Sequence, residues 1–243
     1  MYDPKGNGRL RAIAAVGFRE AEPPDHLKSV VHRFLELRTA GVLEEDYRFH
    51  ALPDACTYIV FDRTAPEVAG VTRLRASSEE LNLGRAFYFV NIRFLPGVWQ
   101  GPVGYGLVDA PYDGDLPLVS VNRSLDGKSF EAQQGVLSGL VEDLMERGLV
   151  AENPMTRAIF EHILDIHTVA DMAEASGYSP RQLQRVLKQT TGFTPHDFLK
   201  VIRLQQSLEG EPSLSYADQS HFIHSFRKAT GYTPGQYARK FDV

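Results

Sequence analysis

Arg181, Gln184, Arg185 and Lys188 fall on one side of the stretch "GYSPRQLQRVLKQTTGFTP", which runs from Gly177 to Pro195. At about 3.6 residues per turn they share the helix face opposite Leu183 and Leu187. Guanidinium and carboxamide groups form paired, directed hydrogen bonds with base edges, and an ammonium is a point charge for a phosphate. The chemistry this implies is recognition of a polyanion. A helical hairpin with a solvated polar face would carry the same residue types, so the pattern by itself leaves both readings open.

A second stretch narrows the choice. "SYADQSHFIHSFRKATGYTP", Ser215 to Pro234, repeats the first with Gly192 facing Gly231 and Pro195 facing Pro234. Leu183 and Leu187 are matched by Phe222 and Phe226, an apolar i, i+4 pair in each copy. A fixed-period repeat of this kind marks one supersecondary unit used twice. Ser179 or Asp218 suits the helix N-cap, Pro180 the first turn, and Gly192 or Gly231 the left-handed stop.

The elements that must hold these helices are legible around them. "TVADMAEASGYS" predicts a helix of two turns capped by Thr168 and stopped at Gly177. With the helix that follows, it makes a helix-turn-helix, whose second helix suits a DNA major groove. Residues Pro195 to Leu208 predict a helix about 21 Å long, a rod able to space two such units. "NPMTRAIFEHILDI" predicts a helix with Asn153 as cap, and "SFEAQQGVLSGLVEDLMERG" a connecting helix with Val136, Leu140, Leu144 and Met145 on its apolar side. Upstream, "LRAIAAVGFRE", "ACTYIVFD", "EVAGVTRLRA", "RAFYFVNIRFL" and "PLVSV" read as strands. The fold class expected is α+β: a barrel-like β-rich domain over residues 1–128, a connecting helix and linker over 129–152, and an all-α domain with tandem helix-turn-helix units over 153–243.

Charge is distributed accordingly. The net charge is -5, yet residues 1–153 hold 16 basic against 22 acidic side chains and residues 154–243 hold 10 against 9. Between Gln219 and Lys240 stand four basic residues and no acid. A basic face on a nearly neutral domain suits phosphate contact. There is no apolar run near the ~20 residues of a membrane span, and the start lacks a signal peptide's apolar centre, so a cytoplasmic protein is expected, without membrane partners. The single cysteine, Cys56, lies in an apolar run and reads as a buried thiol.

Catalytic and metal constellations are not expected, and neither is a cofactor. His162 and His167 are five apart, about 140° around a helix, and cannot share an ion on one face. His221 and His224 have no carboxylate or thiol at ligand spacing. "GPVGYGL" lacks the Lys-Ser or Lys-Thr of a phosphate loop, and no Ser or Cys stands in a nucleophile elbow.

Residues 153–240 resemble the C-terminal DNA-binding domain of AraC/XylS-type bacterial transcription regulators. "TVADMAEASGYSPRQLQRVLKQTTGFTPHDFLKVIRLQQSL" matches that family's first unit and joining helix, and "YADQSHFIHSFRKATGYTPGQYAR" its second unit. The resemblance implies base contacts from Arg181, Gln184 and Arg185 in the first unit, and from Gln219, Ser220, Ile223 and His224 in the second. It implies phosphate contacts from Gln182, Lys188, Arg227 and Lys228. "LPDACTYIVF" and "NIRFLPGVW" resemble a β-rich sensor domain found in one branch of the family. Such domains bind a small effector or pair two chains, which marks Asn91, Arg93 and Trp99 as effector-contact candidates. The partners implied are double-stranded DNA, a small effector, a second copy of the chain, and RNA polymerase if the protein activates. In one respect the chain departs from the family: the seven residues "EGEPSLS" between Leu208 and Tyr216 are too short and too rich in breakers for the helix that normally supports the second reading helix. The second unit would then pack directly on the joining helix or hold DNA loosely. A module of the same fold that binds small molecules or proteins but not DNA is the remaining alternative.

Overall fold

A computed structural model of the chain describes residues 2–10, 15–72, 74–103, 108–208 and 219–242. Its N-terminal part is built on two antiparallel sheets. The first contains β2 (Val16–Ala21), β3 (Val31–Thr39), β5 (Tyr58–Asp62), β6 (Ala69–Val71) and β8 (Tyr88–Phe94), in the order β2-β3-β8-β5-β6. The second contains β1 (Asn7–Leu10), β4 (Arg48–Ala51), β7 (Glu79–Asn82) and β9 (Phe241–Asp242), in the order β7-β4-β1-β9. The last strand comes from the far end of the chain, so the C-terminal part closes onto the N-terminal sheet.

Alternation along the strands sorts the five-stranded sheet into two faces. Phe34, Ile59, Val90, Ile92 and Phe94 point to one side and are wholly buried against helix α2 (Phe130–Glu146). Leu35, Val60, Phe89, Asn91 and Arg93 point to the other, toward the second sheet. The cross-strand register sets these layers, with Phe34 opposite Ile92 and Ile92 opposite Ile59.

Helix α2 is therefore part of the N-terminal core rather than a free connector. It starts at Ser129, whose side chain accepts from the Ala132 amide, and Gly148 beyond its end takes φ +69°. The buried apolar set is Phe130, Leu137, Leu140, Val141 and Leu144. That face is rotated from the expected one, since Val136 is half-buried and Met145 is 36% exposed. The stretch "PLVSV" is not a strand but the start of α1 (Leu118–Ser124). Its apparent alternation hides the spacing Leu118, Asn122, Leu125, all wholly buried. The Asn122 amide donates to the carbonyls of Asp62, Pro66 and Val68 and ties α1 to the end of the sheet. The expected strand over "EVAGVTRLRA" shrinks to Ala69–Val71, and part of "LRAIAAVGFRE" lies outside the described residues. Strands β3, β4 and β7 were not anticipated.

The C-terminal part contains α3 (Pro154–Glu161), α4 (Val169–Ser176), α5 (Pro180–Thr191), α6 (Pro195–Leu208), α7 (Gln219–Thr230) and α8 (Pro234–Lys240). Met155, Ile159, Met172, Leu183, Leu187, Phe198 and Ile202 form its core. Phe226, Leu204, Tyr237 and Phe241 form a separate cluster that takes in Leu52 of the N-terminal part. The two parts are also joined by Tyr2, which stacks on Phe160 with ring centroids 4.2 Å apart, and by the Asn153 amide donating to the Gly97 carbonyl. Among the described residues no helix is long and apolar enough to cross a membrane.

Candidate nucleic-acid interface

Helices α4 and α5 are short, so their ends decide whether they form. Thr168 caps α4 reciprocally with Asp171: the Asp171 amide donates to Thr168 Oγ1 at 3.1 Å and the Thr168 amide to Asp171 Oδ2 at 2.8 Å. These bonds hold the Asp171 carboxyl below the usual carboxylate range, the His167 amide contributing most. Gly177 stops the helix at φ +70°. Two residues later Ser179 and Gln182 form the same capping box for α5, with Pro180 in its first turn and Gly192 at φ +72° beyond its last.

Burial then fixes the rotation of α5. Leu183 and Leu187 are wholly buried, each contributing about 1.5–3 kcal/mol. Arg181, Gln184, Arg185 and Lys188 are exposed on the opposite side. Among the described residues Arg181 and Arg185 have neither an ion-pair partner nor a hydrogen bond to their side chains. Two unpaired guanidinium groups one turn apart on an uncovered helix form a ready surface for phosphates and base edges.

Two expected phosphate contacts have other work. The Gln182 carbonyl oxygen accepts from the Ser179 amide at 3.0 Å and its hydroxyl at 2.8 Å. This side chain is the returning half of the capping box, a role that the Ser-x-x-Gln spacing carries in the sequence. Lys188 Nζ donates to the Gly192 carbonyl at 2.8 Å and so closes the other end of the helix. Its charge stays exposed, whereas Gln182 has lost the oxygen it would use to orient itself.

The second unit repeats the geometry with different chemistry. Ser220, Ile223, His224, Arg227 and Lys228 are exposed on α7, and Phe226 is buried. The side chain of Gln219, like the connection 209–218, lies outside the described residues. Aligned on the repeat, Ser220, Ile223 and His224 stand where the first unit has Arg181, Gln184 and Arg185, so the second reading face offers a hydroxyl, an apolar group and an imidazole. His224 and Lys228 also line a groove of about 640 Å³ shared with Lys200 and Arg203 of α6. Phe226 packs with Leu204 of α6, one of the two arrangements the short connection left open, and additionally with Leu52.

Of the effector candidates, Asn91 and Arg93 line a largely apolar cavity of about 100 Å³ between the two sheets. Arg93 is committed to the protein: its Nη2 donates to Glu20 at 2.7 Å and its Nε to His32 Nδ1 at 2.8 Å. Asn91 Oδ1 is buried without a hydrogen bond. Trp99 is not at the cavity. It is a core residue beside Phe94, with its indole N–H on the Pro102 carbonyl. Sequence reasoning missed the walls contributed by Leu35, Phe49 and Leu81, because β3, β4 and β7 had not been recognised.

Cys56 and Asp54 are buried beside Tyr58, which lines the cavity. Burial pushes both groups up, and Asp54 accepts from the Cys56 amide and from the Tyr58 hydroxyl. The thiol is inaccessible, as its apolar neighbours suggested.

Residues 161–200 match the family described as bacterial regulatory helix-turn-helix proteins, AraC family. The HTH-type transcriptional regulator MtrA of Neisseria gonorrhoeae is 26% identical over 115 residues, covering 43% of this chain and 37% of that protein. The chain thus spans little more than a third of the length of this relative. Solved structures of ToxT from Vibrio cholerae align over 94% of this chain and 98% of theirs at 10% identity and a TM-score of 0.43. The unsaturated fatty acid bound wild-type ToxT aligns over 99% and 98% at 11% identity and a TM-score of 0.41.

Proposed function

We propose, from the premise that this chain carries an AraC-type helix-turn-helix behind a β-rich N-terminal region, that it is a sequence-specific DNA-binding transcription regulator whose principal reading helix is α5. The observation that carries the proposal is the pair Arg181 and Arg185: exposed, unpaired among the described residues, and held outward by the buried Leu183 and Leu187. Arg181, Gln184 and Arg185 read base edges in the major groove, and Lys188 anchors a phosphate. Helix α7 reads a second half-site through Ser220, Ile223 and His224, with Arg227 and Lys228 on the backbone and Gln219 at its start. Its poorer donor set makes it the weaker reader.

Control comes from the N-terminal region. A small, mostly apolar molecule with one hydrogen-bond donor for Asn91 Oδ1 suits the cavity between the sheets, and the residues lining it are the effector site. A second copy of the chain is a further partner, with RNA polymerase added if the protein activates, and its place is the cytoplasm.

Selection of bound duplexes from a random pool, followed by a salt titration on the winner and on a scrambled duplex, tests this. A preferred sequence and an affinity that falls steeply with salt are expected. Absence of duplex binding at low salt overturns the proposal in favour of a binding module of the same fold that does not engage DNA.

A further inference from the structure

The two reading helices end in different company. In α5 the carbonyls of Thr190 and Thr191 receive no donor from the N-terminal region among the described residues. The matching carbonyls of α7 do: the Ser78 amide donates to Ala229 at 2.7 Å, and His50 Nε2 donates to Thr230 at 3.0 Å. Helix C-termini expose carbonyls that need partners, and here the N-terminal region supplies two of them. Leu52 meets Phe226 in the same place, and the tail beyond α8 pairs with β1, Phe241 opposite Leu10.

His50 is the centre of this contact. It is 4% exposed, with its ring stacked on Phe241 at 4.8 Å and edge-on to Tyr232 at 5.7 Å. Because a carbonyl can only accept, the ring carries its proton on Nε2, and Nδ1 is left buried without a partner. An imidazole held in one tautomer and enclosed by three aromatic rings of the α7–α8 unit is a rigid support.

We propose that His50 is a positioning residue for α7, so that the N-terminal region braces the end of the second reading helix directly, whereas among the described residues it reaches the end of the first only through Asn153, whose amide meets both Gly97 and Thr190. The role rests on the DNA-reading function above. It makes β4 the structural base of half of the interface.

The test uses the full chain. In His50→Leu, which keeps the packing but removes the donor, backbone amides of Gln219–Thr230 are expected to exchange about tenfold faster while those of Arg181–Thr191 are unchanged. On the selected duplex, a hydroxyl-radical footprint should lose the half-site of α7 and keep that of α5. His50→Gln, which restores a donor, should recover both readouts, and Ser78→Pro, which removes the other N–H, should reproduce the loss. Equal acceleration in both helices, or none in α7, overturns the role. A wild-type footprint of two half-sites that persists in His50→Leu overturns the role alone. A wild-type chain that binds no duplex overturns the DNA-reading function and this role with it.

Discussion

Arg93 Nε points at His32 Nδ1 from 2.8 Å, and on the far side of the ring His32 Nε2 meets Asp3 Oδ1 at 3.0 Å. Since the guanidinium can only donate, Nδ1 accepts and the imidazole is neutral. Protonating it would set two N–H groups against each other inside the protein. Burial chiefly, and the charges of Arg93 and Arg33 after it, bring the His32 pKa down to about 4, against the pull of its bond to Asp3.

A pH dependence of stability follows. Above about pH 6.5 His32 is neutral in both folded and unfolded chains and stability is complete. As the pH falls from there toward 4, the unfolded chain takes up a proton that the folded chain refuses, and stability declines by the order of 3 kcal/mol. Urea unfolding between pH 7 and 4 should show this loss, and His32→Gln should reduce it, the remainder including the contribution of His50, whose pKa burial also lowers. A midpoint unchanged across that window in the wild-type chain would refute the assignment.

Replacing Arg185 by Ala should relax choice at one base position at a cost of about 1–3 kcal/mol. Replacing Lys188 by Ala should weaken all duplexes alike and make the salt dependence shallower. Binding titrations of both variants on selected and scrambled duplexes separate the two roles, and equal losses on both duplexes for Arg185→Ala would remove it from the readers.

Asn91 carries a buried acceptor with no partner, so Asn91→Leu removes an unmet hydrogen-bonding group along with the proposed effector contact. Without ligand the variant should melt at or above the wild-type temperature, and small ligands that raise the wild-type melting temperature should lose that effect. A marked drop in the melting temperature of the unliganded variant would show that Asn91 is structural instead.

Leu187 is wholly buried under α5, and Leu187→Ala should cost about 2–5 kcal/mol. Arg181→Ala, on the opposite face, should leave the melting temperature unchanged while reducing duplex affinity. Thermal melts read beside binding isotherms check both statements.

Much of the C-terminal half was legible because its signals are local. Caps such as Asn153, Thr168 and Ser179, glycine stops such as Gly177 and Gly192, and the i, i+4 apolar pairs each act within one or two turns. The sheet was harder to read. Strand β3, "VHRFLELRT", is buried on both sides, so its pattern shows no alternation, and β4 and β7 are four residues long and defined only by pairing with strands distant in the chain. The start of α1 alternates like a strand, and only the burial of Leu118, Asn122 and Leu125 gives it a helical period. Of the interface, the outward set on α5 could be read from spacing. That Gln182 closes its own helix end could have been read from its distance to Ser179. His50 could not, since nothing near it in the chain announces a helix terminus 180 residues away.

Strand β4 has Phe49 and Ala51 on the cavity and His50, between them, on the end of α7. One strip of backbone is thus the wall of a chamber and the floor of a helix at once. Linkage between two such neighbours runs equally in both directions. On the proposed function, whatever factor a bound small molecule applies to the affinity of α7 for a duplex, the duplex must apply to the affinity for that molecule, so an operator fragment added to the protein would shift the dissociation constant of its ligand by that same factor.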